Sequence, residues 1–366
     1  METSRPRSVE ELSTALRDSS GTVRARGGGT KWSWGASTPN PDMLLDLTAM
    51  NDVVEHASGD LVVTVQAGTS LTDLQTALGA AGQWLSLDPP ERHATVGGVV
   101  STATSGPRRL RFGTPRDLLI GVTVVLADGT IARSGGKVVK NVAGYDLGKL
   151  VTGAFGTLGV IAECTFRLHP VAPARRVVSL DVADPGPLVG AVLRSPLEPA
   201  ALEWDGERLH ALFETVEGAA ESQARDLLSL AGRGEVGDAL PEAFGSRPWR
   251  DGDVALKVTH RLSSLSPVVD VVRRRLPGCR LVAHAGSGVI HAAVAADATD
   301  VAASVDELRR EVGPHDGSVL VLDAPPDVKA GIDVWGPVRG LEVMRRVKAQ
   351  FDPDARMSPG RFVGGI

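Results

Sequence analysis

Between Gly135 and Leu168 the chain reads GGKVVKNVAGYDLGKLVTGAFGTLGVIAECTFRL, and this stretch restricts the fold more tightly than any other. Gly153, Gly156 and Gly159 recur every third residue, and a run of alternating side chains follows. Val160, Ala162, Cys164, Phe166 and Leu168 are apolar, while Glu163, Thr165 and Arg167 between them are polar, with Ile161 the exception. That alternation predicts a half-buried strand. Glycines crowded ahead of a strand let the backbone approach a ligand or another backbone. A Rossmann fingerprint sets its glycines after a strand and before a helix. The order here is reversed, which argues against a nicotinamide-dependent dehydrogenase. On local chemistry alone, a cofactor floor and a tight loop packed on a sheet both stay open.

With 366 residues, 42% of them apolar, the chain has enough material for two domains with sizeable cores. A net charge of −5 gives no electrostatic footprint for nucleic acid or an anionic membrane surface. Cys164 and Cys279 are too few for a disulfide framework or for the four thiolates of an iron–sulfur cluster, so any cluster belongs to another chain. The N-terminus lacks an apolar export segment, and no run approaches the roughly 20 apolar residues of a transmembrane helix. The expected location is the cytoplasm.

Ser8-Val9-Glu10-Glu11 is a capping-box pattern that opens a short helix. The strand-like Val23–Arg26 then runs into Gly27, Gly28, Gly29, Thr30 and Lys31. Three glycines after a strand can gather successive N–H groups into a concavity for a pyrophosphate, with Thr30 and Lys31 adding donors and Gly28 leaving room; the same run can be only a turn. A strand at Leu61–Val65 and a helix capped by Ser70 follow as scaffold. Thr95 to Pro107 mixes small residues with hydroxyls, and reads as a ligand-contacting loop or as a crossover beneath the sheet. Arg108, Arg109, Arg111 and Arg116 then crowd towards Asp117 as a solvated face or an anion-facing rim.

Pro170–Pro173 reads as a linker. Two successive sets of strands and helices beyond it predict an antiparallel α+β cap domain of ferredoxin-like repeats with helices on one face. The expected division is residues 1–170, a cap at 171–325, and a C-terminal segment at 326–366 that returns to the first domain. Within the cap, His284 and His291 flank a Gly-Ser-Gly turn, so two imidazoles could face each other as metal ligands or as a base.

Lys140-Asn141-Val142-Ala143-Gly144-Tyr145-Asp146-Leu147, followed by Gly156-Thr157-Leu158-Gly159-Val160-Ile161, resembles the signature of the FAD-binding domain of the vanillyl-alcohol oxidase and p-cresol methylhydroxylase (PCMH) type, above all that of glycolate oxidase FAD-binding subunits. The resemblance implies an α+β fold: a two-subdomain PCMH-type FAD-binding domain with the α+β cap. It implies FAD contacts from Arg26, Gly27, Gly28, Gly29, Thr30 and Lys31, and from Thr95, Gly97, Gly98, Ser101, Thr102, Ser105 and Gly106. It adds Arg116 and Asp117 of an RxGxxRD pattern, Lys140, Asn141, Gly144 and Tyr145, and Gly156, Gly159, Val160 and Ile161. Some members tether FAD through a histidine near the glycine loop; none lies between Val23 and Asn51, so non-covalent FAD is expected.

The departures are specific. Ala103 stands where relatives commonly carry Asn, and Ser358 takes the Asn place in an FDPxxxxNPG[RK]-like ending. The His284–His291 stretch resembles the H-x-G-D-G-N-x-H of catalytic D-2-hydroxyacid dehydrogenases, but Ser287 and Val289 replace its Asp and Asn, and no Glu-His pair follows. No bound metal is expected, and His284, His291 and Arg361 are the catalytic candidates. In such enzymes a small 2-hydroxyacid such as glycolate gives its Cα hydride to flavin N5 while a base takes the hydroxyl proton. The alternative is a non-catalytic, flavin-holding subunit. In either case the expected partners are a catalytic flavoprotein and an iron–sulfur subunit, through which any membrane association would come.

Overall fold

The computed structural model describes residues 1–136, 146–298 and 300–366, and its contacts divide the chain into two compact units. The first comprises Met1–Ser105, Gly113–Val171 and Val338–Ile366; the second comprises Gly106–Phe112 and Ala172–Pro337.

In the first unit β1 (Glu2–Ser4), β2 (Val23–Arg26) and β3 (Met43–Asp46) form a parallel sheet ordered β1-β3-β2. The helix Val9–Asp18 precedes β2; Ser8 accepts from the Glu11 N–H at its start, and Val9, Leu12 and Leu16 bury one stripe. A five-stranded antiparallel sheet follows, made of β4 (Val53–Ala57), β5 (Val62–Gln66), β7 (Leu119–Val125), β8 (Ile131–Gly135) and β9 (Val160–Arg167), in the order β4-β5-β9-β7-β8. The short strands β6 (Gln83–Trp84) and β10 (His169–Pro170) pair apart from it.

Strand β9 lies between β5 and β7, and its burial departs from the half-buried expectation. Thr165 is buried and Glu163 partly so, because the Thr64 hydroxyl pairs with Thr165 at 2.9 Å and Thr123 donates to Glu163 at 3.0 Å. Polar side chains can be buried in a central strand when neighbouring strands satisfy them.

The loop reading of Thr95–Pro107 needs correction, since Val96–Thr102 is a helix. Val96, Val99 and Val100 are buried at i, i+3 and i+4. The glycines looked like loop residues, but a Cβ on Gly97 would collide with Ala67, whose carbonyl accepts the Gly97 N–H at 2.8 Å.

The second unit is one eight-stranded antiparallel sheet. Its strands are β11 (Ala174–Asp181), β12 (Ala201–Trp204), β13 (Arg208–Thr215), β14 (Glu235–Gly237), β15 (Asp253–Thr259), β16 (Arg280–His284), β17 (Val289–Ala295) and β18 (Ser318–Asp323). The order is β14-β11-β13-β12-β16-β17-β15-β18. Each half runs strand, helix, strand, strand, helix, strand, with helices at Gly186–Arg194 and Glu217–Ala231 in one and Leu265–Arg275 and Val301–Val312 in the other. These are two ferredoxin-like repeats joined at their second strands. Among the described residues Glu203↔His284 and Trp204↔Ala283 pair across that seam.

Candidate functional site

Three segments far apart in sequence line one open cleft in the first unit. They are the Ala25–Trp32 loop after β2, residues of Thr95–Thr102, and the Phe155–Ile161 turn into β9; Ser358 and Arg361 join them from the C-terminus. The cleft encloses about 730 Å³ counting its open side. Of the residues expected at a flavin, Arg26, Gly27, Gly28, Gly29, Thr30, Lys31, Thr95, Gly97, Gly98, Ser101, Thr102, Gly156, Gly159, Val160 and Ile161 are among its lining. Ser105, Gly106, Arg116 and Asp117 are not. Lys140, Asn141, Gly144 and Tyr145 lie outside the described residues.

The side chains show why these segments converge. A Cβ on Gly28 would drive into the His93 carbonyl oxygen, and one on Gly27 into Thr95. These two glycines therefore bring the loop against protein, which corrects the expectation that Gly28 leaves room for phosphate. Gly29 has φ of +73° and only Arg26 nearby, so space for a ligand opens there. Lys31 is buried and pairs with Glu91 at 3.2 Å. Thr95 Oγ1 is buried in the cleft wall with no hydrogen-bond partner among the described residues, and a buried hydroxyl left so is a donor awaiting an acceptor. A cleft walled by backbone and hydroxyls, with a cation in its loop, fits the phosphate and ribityl parts of FAD.

Arg361 is buried, and its guanidinium donates to the carbonyls of Lys31 at 2.8 Å, Trp34 at 3.2 Å and Trp32 at 3.4 Å. Burial, with Arg24 as a neighbouring cation, pushes it down to about 9. The geometry makes Arg361 a brace of the glycine-loop segment as well as part of the cleft wall. Phe155, which the sequence did not single out, lies 5.4 Å below Arg361 and stacks on Phe362.

Two of the arginines before Asp117, Arg108 and Arg111, turn to β13 and form no anion-facing rim. Arg108 makes a two-pronged pair with Glu214 at 2.6 and 2.9 Å, and Arg111 donates to the Glu214 carbonyl at 3.0 Å, docking Gly106–Phe112 on β13. Asp117 caps its own turn by accepting from the Thr114 N–H at 2.8 Å and hydroxyl at 2.7 Å.

In the second unit, His284 and His291 face each other edge to face, ring centroids 5.2 Å apart. His284 Nδ1 meets Glu203 Oε2 at 3.1 Å, and Glu203 Oε1 accepts the Gly245 N–H at 2.6 Å. Both His284 and Glu203 are almost fully buried. His291 stands opposite Lys257 on β15. Burial first, and then His284, Arg247, Lys257 and Arg109, hold His291 well below the usual imidazole range. Burial together with Arg109 and Arg247 pushes Lys257 down to about 8. The histidine pair thus has a group of cations around it, and since Lys257, Arg109 and Arg247 come from three distant segments, no spacing along the chain groups them. Neither histidine lines the cleft of the first unit. Among the described residues no group of three or more His, Cys, Asp or Glu is arranged to hold a metal.

Residues 3–135 match the family profile described as FAD binding domain, and residues 335–362 match that of the FAD linked oxidases, C-terminal domain. The chain belongs to the FAD-linked oxidoreductase family. It is 29% identical to an uncharacterised FAD-linked oxidoreductase of Mycobacterium tuberculosis, over 98% of this chain and 89% of that protein. It is 28% identical to the glycolate oxidase subunit GlcE of Escherichia coli, over 97% and 96% of the two chains. Against the glycolate oxidase subunit GlcD of Bacillus subtilis the identity is 26%, over 98% and 87%. Structures of alkyldihydroxyacetonephosphate synthase superpose with TM-scores of 0.70 and 0.72 at 14% and 13% identity, over 97% of this chain and 76% and 75% of theirs, a likeness of fold. The cofactor of this FAD-linked oxidoreductase is FAD. Among its described residues no helix is long and apolar enough to cross a membrane.

Proposed function

We propose that this FAD-linked oxidoreductase holds FAD non-covalently in the first-unit cleft and serves as a subunit of a cytoplasmic complex that oxidises a small 2-hydroxyacid such as glycolate. The convergence of three glycine-bearing segments on one cleft, with the Thr95 hydroxyl in its wall partnerless among the described residues, carries the reading. Bound FAD supplies the hydride-accepting centre. Gly29, Thr30 and Thr95 would hold its phosphates, the Val96–Thr102 helix and Gly156–Ile161 turn would flank its remaining length, and Arg361 keeps the 31–34 segment in place. The carboxylate of a 2-hydroxyacid suits the cations Lys257, Arg109 and Arg247, whose mutual repulsion an anion would relieve.

A second reading, a flavin-holding accessory subunit, draws support from the histidines. His291 is buried among cations that disfavour the imidazolium it would become on taking the hydroxyl proton, which makes it a weak base for that step. The named relatives include glycolate oxidase subunits, and a catalytic flavoprotein and an iron–sulfur subunit are the proposed partners. The deciding experiment is anaerobic mixing of the purified FAD-loaded chain with glycolate or D-lactate while the flavin absorbance near 450 nm is followed. Rapid bleaching that His291→Ala abolishes supports catalysis by this chain; no bleaching supports the accessory reading. A chain that takes up no FAD sinks both.

A further inference from the structure

Lys348, on the helix Leu341–Phe351, is buried, and its ammonium spends all three donors on three different partners. It donates to the Asp352 carboxylate at 2.6 Å, the Thr157 carbonyl at 2.7 Å and the Met357 carbonyl at 2.9 Å. Asp352, itself almost inaccessible, also accepts the N–H groups of Arg356 at 2.9 Å and Met357 at 2.7 Å. Thr157 sits inside the turn whose Phe155, Gly156 and Gly159 line the cleft, and Met357 precedes the cleft-lining Ser358. Met357 also bridges to Val23, and the Ser358 N–H donates to the Val23 carbonyl at 2.8 Å, beside the strand that leads into the glycine loop. One ammonium therefore ties the turn wall and the C-terminal wall of the cleft to a single helix.

A buried ion pair contributes little net stability, because desolvating the two charges offsets most of their attraction. What it sets is direction: three oxygen atoms must converge on one nitrogen. We infer that Lys348 is a positioning residue that fixes the spacing of the Phe155–Gly159 and Met357–Arg361 walls, and thereby the affinity and solvent exposure of the flavin. The inference rests on the flavin reading of the cleft and extends it to a residue that does not line it.

The test compares Lys348→Met with Arg356→Met, using FAD affinity by fluorescence quenching, iodide quenching of the bound flavin, and the melting temperature of the apo chain. Arg356 donates from the same C-terminal segment to the carbonyls of Gly21, Ala127, Leu16 and Ser19, none of which lines the cleft. Lys348→Met is expected to weaken FAD binding at least tenfold and to raise iodide quenching at least twofold. Arg356→Met is expected to lower the melting temperature as much while FAD affinity stays within threefold. If Lys348→Met does not fold, Lys348→Gln, which keeps a shorter donor, is expected to shift affinity in the same sense. Equal affinity changes in the Lys348 and Arg356 variants, or none in either, overturn the inference and leave the flavin reading standing. A wild-type chain that binds no FAD overturns both.

Discussion

Ala103 follows the helix Val96–Thr102 at φ of +49°, and Ser358 sits at +44°. Both positions carry Asn in the flavin-family pattern, and Asn tolerates left-handed backbone better than Ala or Ser does. Ala103 and Ser358 thus hold left-handed backbone without the residue type that tolerates it best. Ala103→Asn should raise stability by about 1 kcal/mol, read as a higher urea midpoint at unchanged slope. Gly28 is a poor probe of phosphate binding, since any side chain there strikes His93. Thr30 is exposed in the cleft, so Thr30→Glu should cut FAD affinity at least tenfold with an unchanged circular dichroism spectrum. Lys257 gives a pH test. Its charged form is disfavoured in the fold, so the penalty is present below pH about 8 and is relieved as pH rises towards its ordinary value of 10.5. Wild type should therefore gain stability over that window relative to Lys257→Met, and binding of a 2-hydroxyacid carboxylate should weaken above pH about 8. A difference in stability between the two proteins that stays flat from pH 7 to 10.5 would show that Lys257 is not perturbed.

Element by element, the patterns that read well were those with a period. The Ser8- and Ser70-capped helices and the cap strands follow directly from caps and alternation. The Val96–Thr102 helix was obscured because glycines and hydroxyls dominate it, and only contact with Ala67 explains why small residues belong there. The seam between β12 and β16 has no sequence signature at all. Among the described residues it rests on two residue pairs, and the buried Glu203–His284 contact lies directly across it. Glu203→Ala leaves His284 and the Gly245 N–H without their acceptor, and should cost roughly 2–3 kcal/mol. The change should appear as a lower urea midpoint accompanied by altered Trp204 fluorescence, since Trp204 is the neighbouring seam residue.

For the whole molecule, two cysteines cannot supply the four thiolates of an iron–sulfur cluster. The isolated chain should be yellow, should release its flavin intact on acid precipitation, and should turn over 2-hydroxyacids poorly. Co-expression with a catalytic flavoprotein and an iron–sulfur subunit should restore dye reduction, with the three proteins co-purifying. Rapid dye reduction by the chain alone would count against the need for partners. The sequence by itself determined the flavin-type loops, the ferredoxin-like repeats of the cap and the paired histidines, because periodicity, caps and glycine spacing are local properties that survive in one dimension. Only the tertiary structure decided which of those residues line the cleft, that Arg361 and Lys348 brace it, and that Glu203 and three cations surround the histidines. Burial, register and ion pairing join residues up to hundreds of positions apart, and no spacing along the chain encodes them.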